Sequence, residues 1–113
     1  MSKQADLLQG TLEMLILKSI SLQPMHGYGI LVRIHQLSGD RLQIQQGSLY
    51  PALYRLETRG LIRAEWGESE NNRKAKYYRL TPEGRRQLKV EMEHWDRLSS
   101  GVGGVLNAVP EKS

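Results

Sequence analysis

The sequence contains no cysteine, so it carries no disulfide framework, no thiol nucleophile and no sign of an oxidising compartment. No apolar run approaches the roughly 20 residues that span a bilayer. Residues 1–10 also lack the basic-then-apolar layout of a signal peptide. A cytoplasmic protein with no membrane partner is the expectation. No glycine-rich phosphate loop follows a strand pattern. His26, His35 and His94 are scattered without the spacing of a zinc site. Glu91-x-x-His94 has the spacing that di-iron bundles use, but those sites take such a pair from two helices and further inward glutamates from two more. One copy reads as a solvated helix face. No catalytic residue, metal or cofactor is expected, and an enzyme is disfavoured.

What the chain does have is the composition of an ordinary globular protein. At 113 residues, 39% hydrophobic and 25% charged, it can bury roughly two-thirds of its unfolded surface around one modest core, unlike a disordered chain. The net charge of +4 suits a polyanionic partner, although many proteins that never meet one share it. No segment is a highly basic tail. Contact with nucleic acid must therefore come from cations placed on a fold.

Apolar periodicity predicts the elements. Leu8, Leu12, Leu15, Ile16 and Ile20 recur at helical spacing until Pro24. A second stripe, Ile30, Leu31, Ile34 and Leu37, ends before Gly39-Asp40. Leu49, Leu53 and Leu56 form a third, with Gly60 placed to end it in a left-handed conformation. If that helix opens between Gln46 and Ser48, Pro51 lies near its first turn, where no intrahelical bond is lost. Ile62, Ala64 and Trp66 alternate with polar residues, as do Tyr78 and Leu80, which predicts a hairpin. The polar, turn-rich stretch from Gly67 through Asn71, Asn72, Arg73 and Lys74 is its loop. Thr81-Pro82-Glu83 then starts a fourth helix, with a capping hydroxyl, a proline at the first position and an acid at the positive end of the dipole.

On the fourth helix Leu88, Met92, Trp95, Val102 and Leu106 step by threes and fours, the seam pattern of helices packed side by side. Three glycines, Gly101, Gly103 and Gly104, oppose helix there by about 1 kcal/mol each. The helix is expected to reach about Asn107 if a partner covers it. The fold class expected is mainly α with a small β-hairpin. Residues 1–80 are expected to form a winged helix-turn-helix, 81–107 a C-terminal dimerisation helix and 108–113 a frayed tail.

In such a fold the third helix enters the major groove. Its face opposite the leucines carries Tyr50, Pro51 and Tyr54, with Ser48 and Arg55 beside it. Arg55 is the side chain best suited to read bases directly, and the tyrosines to meet phosphates or base edges. Tyr50 has the alternative of packing against the first helix or the wing. In the wing, Asn72, Arg73, Lys74 and Lys76 form a polar, cationic cluster suited to phosphates or the minor groove. Trp95 and Met92, with Leu8 or Leu12 from the first helix, suggest a stacking pocket for a planar ligand, or simply core.

Three blocks carry a resemblance to a known family: His26-Gly27-Tyr28-Gly29-Ile30, the stretch 47–62 beginning Gly47-Ser48-Leu49-Tyr50-Pro51-Ala52-Leu53, and the run Lys76-Tyr77-Tyr78-Arg79-Leu80-Thr81-Pro82-Glu83-Gly84. With the Trp95 helix, and over about residues 7–107, the sequence resembles the PadR family of bacterial transcriptional regulators. Their order and spacing are more specific than generic winged-helix patterning. The sequence departs from the family at Gln45 and Gln46, where relatives often carry Ser or Pro. The resemblance implies a homodimeric winged-helix repressor on a pseudo-palindromic operator in double-stranded DNA, its C-terminal helix exchanging contacts with the partner copy. It also implies release from DNA by a small, often planar aromatic effector held at the dimer interface. The alternative is a winged-helix adaptor that binds protein and not DNA.

Overall fold

A computed structural model describes residues 9–68 and 73–111. The chain order is α1 (Gln9–Leu22), β1 (Met25–His26), α2 (Gly27–Leu37), α3 (Gln46–Thr58), β2 (Ile62–Glu68), β3 (Lys74–Leu80) and α4 (Pro82–Leu106). Leu12, Ile16, Leu17 and Ile20 of α1 pack against Ile30 and Ile34 of α2, the leucines of α3, and Ile62, Tyr78 and Leu80 of the sheet. These are the stripes that period 3.6 in helices and period two in strands place on one face.

The sheet has three strands in the order β1-β3-β2, all antiparallel. The expected hairpin accounts for two of them. The third, β1, is only Met25–His26, which pair with Tyr78 and Tyr77. A two-residue strand has no period to read, so the sequence showed these residues only as the approach to α2. His26 has a second task, because its Nδ1 accepts a hydrogen bond from the Gly29 amide at 3.0 Å and so caps α2.

α3 begins at Gln46, which makes Pro51 the sixth helical residue and not one of the first turn. The Gly47 carbonyl consequently has no i+4 amide to accept from. Gly47 is exposed, so solvent can take the bond. The helix ends as the sequence predicts: Gly60 adopts φ 74° and the Leu61 amide donates to the Leu56 carbonyl at 3.0 Å.

α4 opens on Thr81, whose hydroxyl accepts from the Gly84 amide at 3.0 Å and donates to the Gly60 carbonyl at 2.7 Å. One hydroxyl thus ties the end of the α3 turn to the start of α4. The helix runs unbroken through its three glycines to Leu106, with Asn107 as its cap. Its first turns are anchored, since Gly84 and Leu88 are buried. Leu88, expected in a dimer seam, is instead part of the chain's own core. Beyond it Met92, Trp95, Leu98, Val102, Val105 and Leu106 are exposed. No helix among the described residues is long and apolar enough to cross a membrane.

Candidate DNA-binding surface

α3 turns by about 100° per residue, so burying Leu49, Ala52, Leu53 and Leu56 fixes where every other side chain points. Pro51 and Tyr54 lie opposite the core, and Tyr54 is 71% exposed. Ser48 precedes them on the first turn and is exposed. The two flanks differ. Tyr50 and Glu57 face the sheet, whereas Arg55 and Arg59 face α1.

On the sheet side, Tyr50 stands against α2: a Cβ on Gly27 would lie 2.9 Å from its ring and hydroxyl. The absent side chain of Gly27 makes that approach possible. The Tyr50 ring remains half-exposed, so the helix-packing and outward-facing readings of this residue both describe part of it. Beside it Tyr78 is buried, and burial first, then Glu57 and Tyr50, push its phenol above the usual 10.0. Lys76 Nζ lies 3.9 Å from Glu57 Oε1 and 5.9 Å from the centre of the Tyr78 ring. His26, Tyr28, Tyr50, Ala75, Lys76 and Tyr78 line an open cleft between the start of α2, the start of α3 and β3.

On the α1 side the arrangement corrects the expectation for Arg55. Its Nε donates to Glu13 Oε2 at 2.8 Å, and Arg59 Nη1 donates to Glu13 Oε1 at 3.2 Å. Glu13 is buried in α1, where an unpaired carboxylate would be costly. Arg55 is therefore engaged in satisfying that carboxylate and is not presented to a base edge.

The wing extends past the core. Its core-side register pairs are Ile62 with Leu80, Ala64 with Tyr78, Trp66 with Lys76 and Glu68 with Lys74. The first two pairs are covered and the last two are not, leaving Trp66 72% exposed. Arg73, Lys74 and Lys76 are exposed at this end. Asn72 lies outside the described residues. Trp66 was missed as a surface residue because alternation placed it with Ile62 and Ala64. Its cross-strand partner, Lys76, was the available signal that this level of the hairpin is wet.

The residues proposed for a ligand pocket do not converge as expected. Leu12 is buried in the core, and Leu8 lies outside the described residues. Trp95 lines a recess of about 250 Å³ with Gly10, Thr11, Met14, Glu91, His94 and Leu98. Met92 instead lines a separate groove with Ser21, Leu80, Arg85, Leu88, Lys89, Glu93 and Asp96. Met14, not Leu12, is the α1 residue beside Trp95.

Helices α1 to α3 with a three-stranded sheet and its projecting hairpin define a winged helix-turn-helix protein. Residues 16–90 match the family model of the transcriptional regulator PadR-like family. An uncharacterized protein of Lysinibacillus sphaericus is 32% identical over 92 residues, covering 81% of this chain and 84% of that protein. An uncharacterized transposon-encoded protein of Streptomyces fradiae is 40% identical over 100 residues, 88% of this chain but 27% of that longer protein. The crystal structure of a PadR-like transcriptional regulator from Bacillus cereus superposes with a TM-score of 0.78 at 30% identity, covering 90% of this chain and 97% of that one. The chain belongs to the PadR-like family of transcriptional regulators.

Proposed function

We propose that the chain is a homodimeric, sequence-specific repressor that binds double-stranded DNA through α3 and the wing and is released by a small planar ligand. The observation that carries the DNA reading is the side of α3 turned away from the core. Ser48, Tyr50, Pro51 and Tyr54 line up there, with exposed Lys74 and Lys76 on the neighbouring hairpin. Ser48 and the tyrosines meet base edges or phosphates in the major groove, while Arg73, Lys74 and Lys76 grip backbone beside it. Trp66, exposed next to Lys76, adds a flat apolar surface to the wing.

The second half of α4 supports the dimer. Met92, Trp95, Val102 and Leu106 are an exposed apolar series that a twofold partner would cover. Two such heads on one axis suit a pseudo-palindromic site with half-sites one helical turn apart. Repression follows from occupying a promoter. The recess beside Trp95 supports an effector site, since an indole and the flexible Met14 suit a planar apolar guest. Such a guest releases DNA only if it binds one arrangement of the two heads better than the other.

Replacing both Arg73 and Lys74 with Ala tests the DNA reading. Affinity for all duplexes is expected to fall alike, and the slope of log affinity against log salt to flatten by about two units, one per lost phosphate contact. An unchanged slope would show that the wing does not touch the backbone.

A further inference from the structure

The cations of the α3 region are not where a phosphate-binding helix would be expected to display them. α3 holds one cation, Arg55, and Arg59 follows at its cap. Both are directed at the same carboxylate, because residues four apart on a helix stand one above the other. Glu13 accepts from Arg55 with one oxygen at 2.8 Å and from Arg59 with the other at 3.2 Å. Its side chain is only 10% exposed, against 34% for Arg55 and 51% for Arg59. A charge-assisted pair this well sheltered is preformed and little screened by salt. A guanidinium contact to a duplex phosphate would have to displace it.

We propose that Glu13 is a specificity-determining residue: it holds Arg55 and Arg59 against α1 and so withholds two cations from the DNA backbone. Phosphate contacts strengthen binding to every sequence alike. Keeping these two arginines out of them lowers affinity for non-operator DNA while leaving the neutral surface of Ser48, Tyr50, Pro51 and Tyr54 to discriminate between bases. Electrostatic grip is then assigned to the wing and base reading to α3. This inference rests on the DNA-binding function proposed above.

The test uses the full chain and fluorescence anisotropy. Two labelled duplexes of equal length are titrated, one from the region upstream of the protein's own gene and one with that sequence scrambled, across roughly 50 to 200 mM salt. Glu13→Gln keeps the shape of the side chain and removes its charge. It is expected to bind the scrambled duplex about tenfold or more tighter than the wild type, with a salt slope steeper by about one to two units and a reduced preference for the upstream duplex. Weaker binding to both duplexes at the wild-type slope would overturn the proposal, since Glu13 would then only hold α3 in place.

The triple variant Glu13→Gln, Arg55→Gln, Arg59→Gln leaves no buried charge unpaired and keeps the test decisive if the single variant does not fold. It is expected to retain the wild-type slope. A flatter slope would mean that the arginines already meet phosphates, and the proposal fails. If the wild-type protein binds neither duplex, the DNA-binding reading itself fails; if it binds and the variants' slopes go the wrong way, only the role of Glu13 does.

Discussion

Tyr78 is a residue whose chemistry depends on where the fold puts it. The sequence shows it as one apolar position of a strand, and the structure buries it between Glu57 and Tyr50, which raises its pKa above 10.0. The folded state therefore favours the neutral phenol more strongly than the unfolded chain does. The resulting contribution to stability is fully present below pH 10.0 and is lost as pH rises through the raised value. Denaturant unfolding at neutral and alkaline pH should show a steeper alkaline loss for the wild type than for Tyr78→Phe. Equal losses would show that Tyr78 ionises as freely when folded as when unfolded. Arg55 and Glu13 mark the limit of reading single residues. The helix pattern correctly put Arg55 on a flank of α3, but its partner is 42 residues away. No local periodicity reports a contact across that separation.

At the level of elements, helices and hairpin were legible because each buries one face against a single core, and that requirement writes a period into the sequence. The caps were legible too: Thr81-Pro82-Glu83 and Gly60 act where their chemistry places them. β1 was not, being too short for a period, and neither was the reach of the hairpin beyond the core, which turns Trp66 outward. The junction of α4 with the sheet gives a sharp prediction. A Cβ at Gly84 would lie 2.0 Å from the Leu61 carbonyl oxygen, and that carbonyl already accepts from the Thr81 amide at 3.1 Å. Gly84→Ala must push the helix off the sheet, at a cost of about 1–3 kcal/mol. Urea unfolding should show a lower midpoint. An unchanged midpoint would mean that the junction yields without loss of packing.

As a whole molecule the chain is elongated, 68 × 34 × 21 Å. Much of that length is α4, whose 25 residues span roughly 37 Å at 1.5 Å each. Only its start is enclosed by the winged domain. The rest exposes Val102, Val105 and Leu106 around glycines that cost about 1 kcal/mol apiece in a helix. A partner helix would offset that cost by burying them, at about 1.5–3 kcal/mol for each large apolar side chain. Sedimentation of the protein at micromolar concentration should therefore give a dimer. Val102→Asp with Leu106→Asp should shift it towards monomer. A wild-type monomer would contradict the proposed assembly. The apolar stripe was visible in the sequence, but its division was not: Leu88 belongs to the chain's own core, and Met92 and Trp95 line different recesses.

The central claim, that α3 and the wing form a DNA-reading surface, is tested most directly by titrating the wild-type protein with the duplex upstream of its gene and with a scrambled control, from about 50 to 200 mM salt. With roughly eight phosphate contacts per dimer, affinity should fall by about 10³ to 10⁵ across that range, and the upstream duplex should stay preferred throughout. Binding that ignores salt, or that does not distinguish the two duplexes at any concentration, would contradict the account.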